Sequence, residues 1–502
     1  MRCWLKSILL PAVLLLTSVS GRAQETLIVD FTAELIEYDE SVGKGIQRLL
    51  GSVWMKHKNL ELTCDSAYLD QANNRFKGYS RVHIIKADTL HVYARHIDYN
   101  GRNELARLEG QVRMENGATS LKAPRLDYNM KEEIAWYYGG GQIIDSSNTV
   151  ESFWGYYFVD SDEFVFNENV VFTNPDNTLL TDSLRYNSKT EQMWFEGPSQ
   201  IFSDTNYIYC NRGFYDSKNR ISSFTSEVFM QAKEQLLRAD SLVYNQADRF
   251  TEAFRGIELQ DTVENIIIRG ERLFYDEDRN SFRMTEDVFF ILAEEKDSLF
   301  LHSDTLFSIR LEERNTRRIL AFPKVQFFRE DIQGRCDSLD YLIADSLIQL
   351  FKDPVIWQDN NQMTADTIGI YLFDDGIERM VLSRSALLIT REDSLYYNQI
   401  KGKEITGFFT NDELSRVVVT GNGESLFYPK DGEEIIGLYK AVSSSITIIL
   451  SDGKIKKISF IKEPDSKMLP IKGLTDADRF LEGFRWLGDK RPVDREDIRN
   501  WK

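Results

Sequence analysis

A six-residue pattern recurs along this chain of 502 residues and constrains its fold more than any other feature. The clearest copy, Ala239 to Tyr244, runs small residue, Asp, polar, aliphatic, any residue, Tyr. Successive sixth positions lie 28 to 37 residues apart, at Tyr38, Leu69, Tyr99, Tyr128, Phe158, Tyr186, Tyr215, Tyr244, Tyr275, Ser308, Tyr341, Ile370 and Gly407. A fixed period of this length is typical of repeat proteins, in which stacked units share one apolar core.

Each repeat predicts two or more short β-strands. The hexapeptides alternate apolar and polar residues, and β-branched or aromatic runs such as Gly110 to Met114 lie between them. Alternation over this length is typical of half-buried strands, and turn-rich clusters such as Asn187-Ser188-Lys189 separate the two elements. The sequence therefore predicts an all-β fold, an elongated repeat β-jellyroll or β-solenoid, with a short C-terminal helix.

The fourth and sixth positions of the hexapeptide predict which side chains face inward. Residues two apart on a strand share one face of the sheet, and these two positions are mostly aliphatic and Tyr, whereas the fifth position is mixed. We expect the interior stripe to include Ile36, Tyr38, Ile97, Tyr99, Leu126, Tyr128, Leu184, Tyr186, Leu242, Tyr244, Leu273, Tyr275, Leu339 and Tyr341. From the residues alone, this interior could be fully packed or partly open.

The tandem pattern resembles the OstA/LptA family of periplasmic lipopolysaccharide-transport proteins. Those proteins combine a strand ending Gly-x-Val with a strand carrying Ala-Asp-x-Ile-x-Tyr, and the resemblance here runs from about Leu27 to Tyr428. It implies an open β-jellyroll whose apolar trough carries lipid acyl chains. The chain is more than twice the usual length of the family's stand-alone periplasmic member, and we expect it to differ from other long members in lacking their outer-membrane barrel.

The resemblance also implies a function and partners. We expect a non-enzymatic lipid-binding and transfer protein in lipopolysaccharide transport and outer-membrane assembly. The inward residues named above would line its lipid trough. Expected partners are lipopolysaccharide or a similar lipid, and other OstA/LptA-fold proteins stacked edge to edge. The expected compartment is the periplasm, with or without association with the outer membrane. The alternative is a structural or adhesive solenoid with a packed core and a protein-binding outer face.

The N-terminal residues predict a secretory signal peptide over residues 1–23. Arg2 and Lys6 precede an apolar run, and Gly21-Arg22-Ala23 offers a small-residue cleavage site. A short membrane anchor is the alternative. We expect the tandem repeats to occupy residues 24–430.

The C-terminal region, residues 431–502, predicts a strand pair and a short helix. Thr475 and Asp478 resemble a helix N-terminal cap, and apolar residues follow at helical spacing. The helix would either cover the last rung of the solenoid or dock a partner. Covering is the simpler interpretation, because an unpaired sheet edge invites pairing with another chain.

Charge and motifs argue against several classes of function. The formal net charge of −18 disfavours nucleic acid as a partner, because both carry negative charge. His91 and His96 lie five apart, on opposite faces of a strand, which is unsuitable for one metal ion. No Walker loop, Gly-x-Ser-x-Gly elbow or His-Glu-x-x-His motif occurs. We predict no catalytic residues, no metal site and no cofactor; a carbohydrate-active β-helix enzyme is the enzymatic alternative.

The first two positions of the hexapeptide carry two further features. The second position is often Asp, as in Asp65 and Asp240. Such a column of carboxylates suggests Ca²⁺ ligands or, more simply, side chains that bond the backbone at a bend. Cys64, Cys210 and Cys336 occupy the first position, and we expect no disulfide between them because they lie four or five rungs apart.

Overall fold

The computed structural model describes residues 30–501 apart from residues 39, 294–297, 312, 314–315, 374–375, 411–412, 433 and 452–453. The signal peptide predicted over residues 1–23 therefore lies outside the described residues. The chain divides into two compact units, unit 1 (Met1–Ser161) and unit 2 (Asp162–Lys502). Both are built almost entirely of antiparallel β-strands, so the all-β prediction is confirmed.

The described residues of unit 1 form strands β1 (Asp30–Thr32), β2 (Leu35–Tyr38), β3 (Ile46–His57), β4 (Leu60–Asp70), β5 (Arg75–Lys86), β6 (Leu90–Asn100), β7 (Leu105–Asn116), β8 (Thr119–Asn129), β9 (Ile134–Asp145) and β10 (Asn148–Phe158). From β3 onward each strand pairs with the next along the chain. Hairpin connections of this kind keep consecutive repeats adjacent in one sheet.

Unit 2 continues this pattern with ten long strands, β11 (Glu163–Thr173), β12 (Asn177–Asn187), β13 (Gln192–Ser203), β14 (Asn206–Asp216), β15 (Ile221–Ala232), β16 (Gln235–Asn245), β17 (Phe250–Asp261), β18 (Ile266–Asp276), β19 (Ser281–Leu292) and β20 (Leu299–Leu311). Shorter strands follow, namely β21 (Thr316–Phe322), β22 (Val325–Phe328), β23 (Ile332–Cys336), β24 (Ser338–Leu342), β25 (Leu347–Phe351), β26 (Val355–Gln358), β27 (Asn361–Thr364) and β28 (Thr367–Phe373).

The last strands are β29 (Gly376–Arg391), β30 (Tyr397–Thr410), β31 (Glu413–Phe427), β32 (Lys430–Asp431), β33 (Glu434–Ile435), β34 (Leu438–Ser451), β35 (Lys454–Ile461) and β36 (Asp465–Leu469). Antiparallel strand pairing therefore continues to Leu469, past the point where the hexapeptide pattern fades. Short 3-10 helices occur at Ile343–Asp345, Gly488–Lys490 and Asp497–Arg499. No helix among the described residues is long and apolar enough to cross a membrane.

Each long strand changes register near its middle, and this change creates two walls. Between β4 and β5, for example, the pairing passes from Thr63↔His83 to Ser66↔Tyr79. We call wall A the half-strands that carry the sixth hexapeptide position, such as Tyr99, and wall B the half-strands on the other side of the shift. A bulge bends a strand sharply, so the two walls of each unit meet at a row of corners.

The corners explain the acidic second position of the hexapeptide. Ser80 and Arg81 both adopt left-handed backbone conformations, with φ of 64° and 48°. Asp65 lies opposite them and accepts a hydrogen bond from Nε of Arg81 at 2.8 Å. Hydrogen bonds from Arg81 and Ser80 lower the pKa of the Asp65 carboxyl. Asp337 accepts from Nζ of Lys352 in the same way, at 2.8 Å. These carboxylates thus bond side chains of the bulged residues of the neighbouring strand, and not the backbone groups that the simpler interpretation predicts.

The predicted short C-terminal helix is present as α1 (Asp476–Arg479), and Thr475 with Asp478 forms its capping box. The residues after it, 480–501, form a strap over the outer face of wall B in unit 2. Nε2 of Gln399 donates to the carbonyl of Arg479 at 2.7 Å, and Nε2 of Gln326 donates to the carbonyl of Ile498 at 2.9 Å. Because Gln326 and Gln399 belong to β22 and β30, the strap runs back across the strands of unit 2.

Candidate functional site

Most of the predicted inward residues are buried, but not to the same extent. At the fourth position, Ile97, Leu126, Leu184, Leu242, Leu273 and Leu339 are all buried. At the sixth position, Tyr99, Tyr128 and Tyr186 are buried, whereas Tyr244, Tyr275 and Tyr341 are partly exposed. The interior is therefore more open around the later tyrosines.

The first rung differs from this pattern. Ile36 and Tyr38 are 51% and 64% exposed. They lie on β2, which pairs only with β3 among the described residues. With no second neighbour to cover them, these two side chains do not line an enclosed interior.

The walls of unit 2 enclose an apolar cavity of about 220 Å³. Leu339 and Tyr341, both predicted to face inward, line it from wall A, and Phe290, Leu301 and Phe327 line it from wall B. A single cationic side chain, Arg329, is among its lining residues. Its other lining residues include members of the buried core of unit 2, so the cavity is a gap in that core.

A larger cavity of about 910 Å³ lies further along unit 2. Its floor is aliphatic and aromatic and comes from wall A, with lining residues Leu414, Val417, Ile448, Leu450, Ile458 and Phe460. Its other side comes largely from wall B, where polar residues such as Asn361 and Asn398 accompany Leu388 and Ile400. Ligand sites typically have volumes of about 300–1,000 Å³ and apolar linings with a few polar groups. This cavity matches that description.

One ion pair lies between the two cavities. Arg329 lines the smaller cavity and Asp331 lines the larger one. Nε of Arg329 donates to Oδ1 of Asp331 at 2.6 Å, and a second guanidinium nitrogen donates to Oδ2 at 2.9 Å. A two-pronged pair of this kind holds both side chains in a fixed orientation. Arg329 and Asp331, which are two positions apart in the sequence, therefore form a polar border between the two cavities.

Sequence reasoning missed the larger cavity, although a signal for it exists. Ser443 to Ile448 repeats the hexapeptide with Ser at the first three positions, and Ile446 and Ile448 are both buried. These residues lie on β34 beyond Tyr428, where the pattern loses its Asp and Tyr. The aliphatic fourth position alone marks the copy.

The described residues contain no group of three or more His, Cys, Asp or Glu side chains placed to hold a metal ion. The closest histidines are His83 and His91, not the pair His91 and His96 considered from the sequence. Nε2 of His83 lies 3.1 Å from Nδ1 of His91, a hydrogen-bond distance. Their rings are nearly parallel with centroids 5.4 Å apart, so the two nitrogens point at each other.

The sequence matches a family model described as OstA-like protein over residues 25–182, 168–240 and 195–272. The chain is an OstA-like protein. The matched segments include the eight hexapeptide copies up to Tyr244, and they end at residue 272, within the ninth copy, Gly270 to Tyr275. The OstA-like match therefore covers unit 1 and the first strands of unit 2, whereas both cavities lie beyond residue 272.

Among solved structures, one that is similar to this OstA-like chain is LptH of Pseudomonas aeruginosa. Its title describes it as the LptA homologous periplasmic component of the conserved lipopolysaccharide transport device. The two are 15% identical with a TM-score of 0.22, and the match covers 28% of this chain and 95% of that chain. No curated protein sequence matches the chain.

Proposed function

We propose that this chain is a non-enzymatic lipid-binding and transfer protein that holds acyl chains in the trough of unit 2. The observation that carries the proposal is the cavity of about 910 Å³ with its apolar floor and polar opposite side. Aliphatic side chains such as Val417 and Ile448 offer contacts for hydrocarbon and no group for chemistry. The arrangement suits holding a lipid better than transforming one.

Burial of hydrocarbon supplies the binding energy. Each CH₂ group removed from water stabilises the complex by about 0.8 kcal/mol. Several acyl chains can therefore bind firmly without any charged contact. A polar headgroup would remain in water at the rim, where Asp359, Arg391 and Glu392 lie. Movement along the trough would exchange one set of apolar contacts for another of similar energy, so transfer needs no catalytic residue.

The family and the first rung support the compartment and the partners of this proposal. Membership of the OstA-like family favours lipopolysaccharide transport in the periplasm and a contribution to outer-membrane assembly.

Leu35, Ile36 and Tyr38 of β2 are all at least half exposed. An exposed apolar strand that is paired on one side favours addition of another strand. The proposed partner is a protein of the same fold that stacks edge to edge on β2.

Two neighbouring residues of β35 provide the test. Ile458 lines the large cavity, and Ser459 points to the opposite face because successive side chains on a strand alternate. We expect Ile458→Asp to weaken binding of a fluorescent fatty acid by at least about tenfold, equivalent to about 1.4 kcal/mol. Ser459→Asp adds the same charge outside the cavity and should bind like the parent.

Mass spectrometry of lipid that copurifies with the protein completes the test. The parent and Ser459→Asp should carry acylated lipid, and Ile458→Asp should carry less. A parent protein free of lipid that also fails to bind the fatty acid would contradict the proposal and favour a structural or adhesive solenoid.

A further inference from the structure

Polar side chains join wall A to wall B in unit 1. Nδ1 of His57, at the end of β3, lies 2.6 Å from the hydroxyl of Tyr99 on β6. Nδ2 of Asn116, at the end of β7, donates to the hydroxyl of Tyr157 on β10 at 2.8 Å. In both cases the last residue of a strand, on wall B, forms a hydrogen bond with the next-to-last residue of a later strand, on wall A. We call these contacts latches.

A third latch lies between the other two. Lys86, at the end of β5, donates to the carbonyl of Met130 at 2.7 Å and forms an ion pair with Glu133. The hydroxyl of Tyr128 on β8 donates to the same carboxylate at 2.7 Å. The three latches therefore follow the repeat, and they join β3 to β6, β5 to β8 and β7 to β10.

The latches close a fully packed interior. His57 and Lys86 are only 3% and 6% exposed, and burial raises the pKa of both Tyr99 and Tyr128. Behind them the inward side chains have no more than 1% exposure at Leu49, Val53, Met55, Leu62, Leu69, Phe76, Ile84, Val92, Leu108 and Leu126. An acyl chain could enter only by separating buried hydrogen-bond partners and displacing close-packed side chains.

Three equivalent positions of unit 2 have no such bonds among the described residues. By their place in the repeat, the strand ends that correspond to His57, Lys86 and Asn116 are Thr173, Ser203 and Ala232, and the tyrosines that correspond to Tyr99, Tyr128 and Tyr157 are Tyr215, Tyr244 and Tyr275. Ala232 has no polar group, and the hydroxyl of Ser203 bonds Asn206 within its own turn. Burial and the nearby Glu277, which follows β18, raise the pKa of Tyr244, and all three tyrosines are partly exposed.

We infer that unit 1 is closed to lipid and that the acyl chains bind only within unit 2. The inference rests on the proposed function, since it assigns the place of the lipid within the repeats. On this inference, the role of unit 1 is structural, because it holds the sheet together and does not bind lipid. The inference also identifies the residues at the ends of odd-numbered strands as those that decide whether a rung is open.

The test uses the unaltered protein and a fatty acid that carries a photoactivatable diazirine on its chain. After irradiation, digestion and peptide mass spectrometry, crosslinks should map to inward-facing side chains within residues 162–502 and not to residues 30–161. Crosslinks on the inward strands of unit 1 that unlabelled fatty acid suppresses would overturn the inference and leave the proposed function intact. An absence of suppressible crosslinks anywhere would instead contradict the proposed function.

A variant that adds a latch tests whether the latches control the access of lipid to the interior. Ala232→Asn places an amide at the position of β15 that corresponds to Asn116 in the repeat, for which the corresponding tyrosine is Tyr275. Gln231→Asn places the same amide one residue away, on the other face of β15. We expect Ala232→Asn to reduce crosslinking of the β18 peptide that contains Tyr275 at least threefold, and Gln231→Asn to leave it unchanged. Equal crosslinking in both variants would show that the latch does not control access.

Discussion

Gln362 clamps the strap at Arg485. Its Nε2 donates to the Arg485 carbonyl at 2.7 Å, and its Oε1 accepts from the backbone N–H of Leu487 at 2.7 Å. The side chain is fully buried, so no water competes for these groups. Gln399 makes the same pair of bonds to the backbone at Arg479 and Leu481. A glutamine amide can satisfy one donor and one acceptor of an extended chain at once.

Removal of this clamp should loosen the strap. Gln362→Ala removes the hydrogen-bond partner of the Arg485 carbonyl and of the Leu487 N–H, and a typical hydrogen bond contributes about 0.5–1.5 kcal/mol. We therefore expect faster hydrogen exchange and faster proteolysis over residues 480–490. Gln349→Ala, on wall A of the same unit, is the matched control, and it should leave both rates unchanged. Equal protection of the strap in the two variants would contradict the assigned role of Gln362.

The rungs themselves can be tested on β16. Leu242 is 1% exposed and Val243, its neighbour, faces the other side of the sheet. An unpaired buried carboxylate costs several kcal/mol or takes up a proton. Leu242→Asp should therefore lower the unfolding midpoint in urea strongly, and Leu273→Asp should do the same because Leu273 is 3% exposed. Val243→Asp should have a much smaller effect; equal losses would show that the inward assignment is wrong.

The sequence predicts the rungs well because their signal is local. An aliphatic residue and a Tyr two positions apart define a face, and the interval between copies defines the stacking. For one copy, Phe153 to Phe158, the sequence pattern predicts a position one residue too late. The structure places Ser152 at the first position and Tyr157 at the sixth, 29 residues after Tyr128. Gly155 replaces the usual aliphatic residue and lies opposite the large side chain of Tyr137, so the pattern is hidden there.

Features that join distant residues could not be predicted in this way. The latches pair His57, Lys86 and Asn116 with residues 41 to 47 positions away, and their chemistry changes from rung to rung. The strap was also missed, although Ala386-Leu387-Leu388-Ile389 gives a signal for it. Leu388 packs inside the trough, whereas Leu387 and Ile389 pack against Leu481 on the outer face. An apolar run without alternation indicates a strand that is covered on both faces.

The cysteines offer a check on the rung order. Cys64, Cys210 and Cys336 are free and buried, and burial raises their pKa to about 11, 11 and 12 respectively. The thiolate is the reactive form. Reaction of the protein from residue 24 onward with a thiol reagent at pH 8 should therefore be slow when it is folded. Three thiols should react after unfolding without reductant. A single reactive thiol, with a crosslinked peptide pair, would contradict the order of the rungs.

The contact between His83 and His91 predicts a pH dependence. Burial and the neighbouring His91 lower the pKa of His83 from its ordinary value of 6.5, against an opposing effect of Glu115. The ring also stacks on Tyr93 with centroids 4.4 Å apart. Because the folded state binds this proton less readily than the unfolded state, the contribution to stability is complete above pH 6.5. It is lost as the pH falls below that value, with a slope of at most about 1.4 kcal/mol per pH unit for one proton.

Urea unfolding between pH 8 and pH 5 measures this loss. In the parent, part of the decline in unfolding free energy below pH 6.5 should come from His83, and His83→Gln should show a shallower decline over the same interval. His96→Gln removes an exposed histidine from the neighbouring strand and should follow the parent. If His83→Gln declines as steeply as the parent, then protonation of His83 does not oppose folding. Doubly protonated rings would place two N–H groups against each other across 3.1 Å, which is the physical reason to expect the difference.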